Sequence, residues 1–174
     1  MRTRLLLIAC LLFAGEGMAQ RHVVNWAYGP FATPEDAAFV VDLDRISLAT
    51  GPFGERGRTL WIYQDDQVFR SVGRSASRGN CAFTLDGDHF MRTEGAFCTK
   101  VSCVFLLEKD RTRPGSLKVH RAEGPFCTAT NGGFVIEQNV VYLAEGVFAN
   151  RADAILILPE GIALVAVLTI LAGS

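Results

Sequence analysis

The chain has 174 residues, 49% of them hydrophobic, and 17 basic against 18 acidic side chains give it a formal net charge of -1. This length suits one domain with a sizeable core. The near-neutral balance provides no global field that would attract nucleic acid or anionic lipid, and nucleic acid is not an expected partner.

Residues 1–19 have the three parts of a secretory signal peptide. Two early arginines form the positive region, "LLLIACLLFAG" the apolar region, and small residues precede a cut ahead of Gln20. A lipoprotein-type box ending at Cys10 is the alternative, and it would make the protein an outer-membrane lipoprotein. We therefore predict a periplasmic or secreted protein whose single β-rich domain spans 20–174.

The first half of the mature chain contains several predicted strands. "HVVNWAY" reads as a strand, "FVVDLDRI" alternates apolar and polar residues, and "TLWIY" reads as a buried strand. Between the first two, "ATPEDAA" has a helix-starting pattern at Thr33, which predicts one helical turn.

Residues 65–78 fit two structures. Arginines recur there every four residues, as in a helix, but Gly73 and several serines disfavour one. As a strand, "QVFRSV" pairs back on "TLWIY" across a polar turn, and we favour this interpretation.

The second half also reads as hairpins. Asp86-Gly87-Asp88, "DRTRPG" and Gln138-Asn139 are turn signals between strand-like segments. About ten short strands and almost no helix predict a mostly β fold. The expected architecture is an antiparallel, hairpin-rich sheet, barrel-like or a sandwich, with at most one or two short helices.

Four cysteines remain in the mature chain, and an even number in an exported protein implies two disulfides with three connectivities. In the predicted hairpins each second cysteine lies just past the partner of the strand that carries the first. The pattern therefore favours Cys81–Cys98 and Cys103–Cys127. A zinc site is the alternative, but no Cys-x-x-Cys pair is present.

A similar phrase occurs three times, as "TEGAFCTK" at 93–100, "AEGPFCTA" at 122–129 and "AEGVFAN" at 144–150. The copies are spaced by 29 and then 22 residues, which is not a fixed period. We therefore expect similar turns in a hairpin-rich chain and no repeat architecture.

The C-terminal segment "AILILPEGIALVAVLTILAGS" is apolar apart from Pro159-Glu160-Gly161. The run from Ile162 to Ala172 is about half of what a membrane-spanning helix requires, so no transmembrane segment is predicted in the mature chain. Two buried strands joined by a turn are the expected structure, and a removable anchor tail is the alternative.

Few residues have a pattern typical of catalysis. The sequence contains no hydrolase, P-loop or dinucleotide-binding motif. His89 beside two aspartates and the pair Asp42 and Asp44 are better explained as turn-forming and solvated groups. No enzyme activity, cofactor or metal is therefore predicted, although a small periplasmic hydrolase that uses these residues is an alternative.

Arginines are concentrated between positions 45 and 78, where aromatic residues lie among them. Such a surface suits an acidic polysaccharide or an acidic protein segment. Separately solvated arginines are the alternative interpretation. The predicted binding surface comprises Arg45, Arg56, Arg58, Arg70, Arg74 and Arg78 with Trp61 and Tyr63.

A leading "NW", then "FVVDLDRI", "TLWIY" and "RSV…NCAF" with Arg92 after it resemble the bacterial surface-adhesin protein E family over residues 23–92. The resemblance implies an exported antiparallel sheet, often dimeric, that binds host matrix or serum proteins. Residues 93–174 have no counterpart in that family, and four cysteines exceed its usual pair.

Together these patterns predict an exported, disulfide-stabilised, non-enzymatic binding protein of adhesin-like type. A secreted hydrolase inhibitor that inserts the loop "AEGPFCT" into an active site is a second hypothesis. The expected partner is a protein or an acidic polysaccharide, and the sequence leaves homo-oligomer formation open.

Overall fold

A computed structural model describes residues 21–51, 53–146 and 148–173. The predicted signal peptide, the Cys10 alternative and the cut ahead of Gln20 lie outside these residues. Within them the chain forms twelve strands and one helix. They are β1 (Arg21–Tyr28), β2 (Thr33–Asp42), β3 (Arg45–Thr50), β4 (Glu55–Gln64), β5 (Gln67–Val72), β6 (Ser77–Asp86), β7 (His89–Glu94), β8 (Thr99–Lys109), β9 (Leu117–Glu123), β10 (Thr128–Glu137), β11 (Val140–Glu145), β12 (Asn150–Ile157) and α1 (Leu164–Gly173).

The strands form a closed antiparallel barrel in chain order. Each strand pairs with the one before and after it, and β1 closes the barrel on β12 through Trp26 opposite Leu156. The prediction of a mostly β, barrel-like fold with few helices is confirmed. Residues 67–72 and 77–86 are strands, as favoured above.

The predicted helical turn at Thr33 is wrong. Thr33 lies opposite Tyr28, and the rest of "TPEDAA" continues as the first part of β2. Pairing with β1 along this segment supplies backbone partners that a single helical turn would not, so tertiary structure overrides the local start signal.

The expectation of no repeat architecture is also wrong. Each pair of strands is one copy of a 22-residue unit, and six glycines mark the same position in the six units within the described residues. A seven-residue insertion in the unit between Gly95 and Gly124 conceals the period. The glycines are Gly29, Gly51, Gly73, Gly95, Gly124 and Gly146.

These glycines open six four-residue turns, which we call the rim turns: 29–32, 51–54, 73–76, 95–98, 124–127 and 146–149. In each, the opening glycine has φ between 69° and 74°, and the last residue has φ between 48° and 66°. In the turn at 73–76 the Ala76 N–H donates to the Gly73 carbonyl at 3.3 Å. Because alternate hairpins point the same way, all six rim turns lie at one end of the barrel.

The opposite end has shorter connections. Two-residue turns occupy 43–44, 65–66, 87–88 and 138–139, with pairs such as Asp86 opposite His89 closing them. Part of the insertion appears here as the seven-residue loop 110–116 between β8 and β9. The turns predicted at Asp86-Gly87-Asp88 and Gln138-Asn139 are confirmed.

The interior of the barrel is apolar because the unit places large side chains inward at a fixed position. Successive phenylalanines stack around the core, with ring centroids 5.2 Å apart for Phe83 and Phe90 and 6.0 Å apart for Phe90 and Phe105. One layer of the core consists of six inward side chains at equivalent positions, one from each even-numbered strand. They are Phe39, Trp61, Phe83, Phe105, Phe134 and Leu156.

Helix α1 fills the interior. Seven consecutive residues, from Val165 to Leu171, are buried, so the helix is covered on every side. Its side chains belong to the same core cluster as the inward residues of the strands. The predicted terminal hairpin is thus half wrong: Asn150–Ile157 is a strand, but "LVAVLTILAG" is a helix.

The predicted disulfides are confirmed. Cys81–Cys98 and Cys103–Cys127 have Cα–Cα distances of 5.1 and 4.9 Å, and each ties the last residue of a rim turn to a neighbouring strand. In an equivalent pair of positions Gly54 lies close against Ala37, since a Cβ on the glycine would be 3.0 Å from the Ala37 Cβ. The crosslinks therefore replace a small-residue contact of the repeating unit.

Candidate functional site

The barrel end that carries the rim turns has an open mouth. Helix α1 ends there, and a cavity of about 680 Å³ lies beside Ala172 and Gly173. Its charged lining is Arg58, Arg70, Arg92 and Glu94, and Trp61 forms part of the floor. Gly173 lies so close to Trp61 that a Cβ would be 2.4 Å from its ring, so the indole covers the end of the helix.

A second cavity of about 420 Å³ adjoins the first, and both share Arg92 and Ala172. Arg121 and Glu123 supply its other charged side chains. The Arg121 guanidinium lies 5.5 Å from the Phe134 ring centroid, which helps to hold it over the mouth. We call Arg58, Arg70, Arg92 and Arg121 together the arginine mouth.

Three of these arginines come from one position of the 22-residue unit. The equivalent strand position is Arg in β5, β7 and β9 but apolar in β1, β3 and β11. One half of the mouth is therefore cationic and the other half apolar. The six residues in chain order are Trp26, Leu48, Arg70, Arg92, Arg121 and Leu143.

The arginine mouth has surplus positive charge. Among the described residues, no acidic side chain forms a salt bridge with any of its four members. The C-terminus of α1 contributes about half a negative charge, and Glu94 and Glu123 contribute two more. Four guanidinium groups exceed this total, so the described residues give the mouth a net positive charge.

The predicted arginine surface is divided by the barrel wall. Arg58, Arg70 and Trp61 line the mouth, whereas Arg45, Arg56 and Arg74 line an outer groove of about 480 Å³. Arg58 lines both, so it connects the outer groove to the mouth.

Two members of the predicted surface have structural roles. The Arg78 guanidinium lies 3.5 Å from the Phe69 ring centroid and donates to the Gln64 side chain at 3.0 Å. The Tyr63 hydroxyl donates to the Leu43 carbonyl at 2.7 Å. Burial, with the nearby Asp44 carboxylate as a lesser cause, raises the pKa of Tyr63.

The binding surface predicted from the sequence did not include Arg92 and Arg121. The 22-residue period could have identified them. Arg92 follows Arg70 by 22 residues, and Arg121 follows Arg92 by 29, which is the length of the unit plus the insertion. Treating the arginines as one dense stretch of chain hid the fact that they occupy equivalent strand positions.

The residues considered for hydrolysis are placed apart. Asp42 forms a salt bridge with Arg56 at 3.4 Å, and His89 Nδ1 lies 2.8 Å from an Asp88 carboxylate oxygen. Four strands separate Asp42 from His89 around the barrel. In the part of the chain that the structure covers, no three His, Cys, Asp or Glu side chains are grouped so that they could hold a metal ion.

The described residues contain no helix of the length and hydropathy needed to cross a membrane. Comparisons with protein-family models, with curated proteins and with solved structures find no match to this chain. The resemblance to the adhesin protein E family therefore stays a prediction from the sequence.

Proposed function

We propose that the protein is an exported, disulfide-stabilised, non-enzymatic binding protein that takes an anionic ligand at the arginine mouth. The observation that carries the proposal is the convergence of Arg58, Arg70 and Arg92 on one cavity without salt bridges among the described residues. The two disulfides support export, because such crosslinks persist in oxidising compartments.

The chemistry of the ligand follows from the guanidinium group. Its planar fork of donors binds carboxylate, sulfate or phosphate oxygens in pairs. The outer groove continues the positive surface from Arg58 toward Arg74, so a chain with repeated anionic groups fits better than one small anion. An acidic polysaccharide and an acidic protein segment both have this chemistry.

The hydrolase-inhibitor hypothesis has less support. The loop "AEGPFCT" forms one rim turn, and its disulfide-locked form would suit an inhibitor. However, five other rim turns share its backbone geometry among the described residues. The repeating unit therefore accounts for this loop without an enzyme target, and we propose an adhesin-like binding role instead.

The test measures binding of polyglutamate and of a sulfated polysaccharide, with neutral dextran as the reference. We expect both anionic polymers to bind, with an affinity that falls as salt is added. Arg92→Ala should raise the dissociation constant about tenfold or more, because it removes charge-assisted hydrogen bonds.

Arg111→Ala is the matched control. Arg111 is an exposed arginine in the loop 110–116 at the other end of the barrel, and no salt bridge involves it among the residues described. Its loss changes the net charge equally but should leave binding unchanged. Equal effects of the two variants, or equal binding of dextran, would refute a site at the mouth. Preference for one anionic polymer identifies the ligand class.

A further inference from the structure

Five of the six rim turns expose a phenylalanine at their third position. The five side chains are between 76% and 96% exposed, which is nearly the full surface of each ring. Exposed phenylalanines grouped in this way are unusual on a protein surface and point to an interaction. They are Phe31, Phe53, Phe97, Phe126 and Phe148.

The rim turn does not need phenylalanine for its structure. The remaining turn, 73–76, has Ser75 at the same position. Its opening glycine has φ 71° and its last residue φ 51°, both within the ranges of the other five turns. Its internal hydrogen bond is 3.3 Å long, equal to that between Ala32 and Gly29. The phenylalanines are therefore available for a function outside the fold.

The five rings surround a mouth that is cationic on one side and apolar on the other. They lie at separate turn tips on one barrel end, and the mouth between them contains Arg70, Arg92 and Arg121. Each of these arginines lies two residues before the end of its strand, so it is set back from the turn by about 7 Å. On this side of the barrel, Phe97 and Phe126 thus project beyond a cationic layer.

We propose that this barrel end docks onto the surface of a lipid bilayer that contains anionic lipids. The phenylalanine rings enter the boundary between headgroups and acyl chains, a depth of about 5–10 Å for known interfacial segments. The offset places Arg70, Arg92 and Arg121 at the level of the lipid phosphates, which guanidinium groups bind well. Apolar and cationic residues are then each matched to one layer of the bilayer.

A bilayer fits this arrangement better than a protein partner does. A protein would need five separate pockets in the register of the ring. Arginines and glutamates also interrupt the apolar surface of the rim along β5, β7 and β9. A fluid bilayer accommodates separate side chains without such complementarity. In the turn 73–76, which has Ser75 in place of phenylalanine, the neighbouring Arg74 could bind a lipid phosphate.

The experiment is sedimentation of the mature protein, residues 20–174, with phosphatidylcholine vesicles, with and without added phosphatidylglycerol. We expect binding to both, stronger with the anionic lipid. Phe97→Ser and Phe126→Ser should each lower the partition coefficient about tenfold, because each removes one buried ring. Both changes introduce serine, which is the native residue at this position in the turn 73–76.

Ser75→Phe is the complementary variant, and it should raise the partition coefficient by a similar factor. Thermal unfolding should be unchanged in all three variants, which separates a lost contact from a lost fold. Vesicle binding that is absent in the wild type, or unaffected by Phe97→Ser and by Ser75→Phe, would overturn the inference. Concentration-dependent self-association abolished by the same changes would instead assign the rim to a second copy of the chain.

The docking surface and the proposed ligand site can be tested independently of each other. Partitioning to neutral phosphatidylcholine depends on the phenylalanines, whereas binding of soluble anionic polymer depends on the arginine mouth. A protein that binds neutral vesicles but no polymer supports only the docking surface. A protein whose polymer binding persists without vesicle binding supports only the ligand site.

Discussion

At the scale of single residues, Gly133 is the position most tightly constrained by the backbone. It lies in β10 opposite His120, immediately after the irregularity in the ladder that absorbs part of the insertion. Its φ is 152°, and a Cβ there would lie 2.1 Å from the Val119 carbonyl oxygen. Only glycine permits this approach of two strands.

Gly133→Ala should therefore be severely destabilising. We expect a loss of about 3 kcal/mol or more, because the backbone of β9 or β10 must shift to relieve the overlap. Urea unfolding measures the loss. Gly87→Ala is the control: Gly87 also has positive φ, at 60°, but nothing lies within 4 Å of its Cβ. A similar, small cost at both positions would contradict the steric argument.

Asp86 provides a pH-dependent contact on the outer surface. The Lys100 ammonium donates to its carboxylate, and the hydrogen bond and charge of Lys100 lower the pKa of Asp86. Because the folded-state pKa lies below the unfolded one, the contribution to stability is full above about pH 4, the ordinary pKa of aspartate. It is lost as the pH falls through the lowered value.

Asp86→Asn should consequently destabilise the protein only above that range. The measurement is the free energy of unfolding of both proteins from neutral pH into acid, where the difference between them should disappear. Repeating it in a Lys100→Met background removes the cause. A pH-dependent difference that survives in that background would show that Lys100 does not lower the pKa.

At the scale of elements, hairpins were predictable because their signals are local. Turn residues such as Asp86-Gly87-Asp88 and alternating strands indicate where the chain reverses, and the order of the hairpins then favours one pairing of the cysteines. The 22-residue period is hidden in the three similar phrases at Gly95, Gly124 and Gly146, because the seven-residue insertion lies between the first two of them. The four glycines from Gly29 to Gly95 have a constant spacing.

Helix α1 was not predictable from its own residues. "IALVAVLTIL" is rich in β-branched and large apolar side chains, which favours a strand locally. The barrel, however, is closed by β1 and β12, so no strand edge is free inside it. A segment in an apolar interior must satisfy its own N–H and C=O groups, which a helix does.

The candidate site was predictable only in part, for a related reason. The arginines up to Arg78 stand out as a dense stretch, and Arg58 and Arg70 do line the mouth. Arg92 and Arg121 meet them only because β5, β7 and β9 run in the same direction at successive places around the barrel. This closeness is a property of the topology, which local patterns do not contain.

At the scale of the whole molecule, the helix solves a problem of size. Barrels of about eight strands can be filled by their own side chains, whereas wider ones enclose space. Twelve strands surround a lumen that the inward layer from Phe39 to Leu156 does not fill alone, and α1 occupies the remainder. The helix also ends at the mouth, so the same segment that completes the core forms the floor of the candidate site.

Removing residues 162–174 should therefore prevent folding. The deletion takes five large aliphatic side chains out of the core, namely Val165, Val167, Leu168, Ile170 and Leu171. At about 1.5–3 kcal/mol each, their burial is comparable to the 5–15 kcal/mol that stabilises a typical domain. Near-ultraviolet circular dichroism and thermal unfolding of the truncated protein test this. We expect no cooperative transition.

A point substitution tests the same idea without truncation. Leu168→Ala should cost about 2–5 kcal/mol, since Leu168 is fully buried inside the barrel and its loss leaves a cavity. Leu164→Ala is the control, because Leu164 is 37% exposed at the start of the same helix and its truncation leaves no enclosed void. Both changes give the residue with the highest helix propensity, so the difference between them reports burial. Equal effects of the two substitutions would place α1 outside the core. For the truncation, a folded protein with an unchanged melting temperature would show that the barrel is stable without its helix.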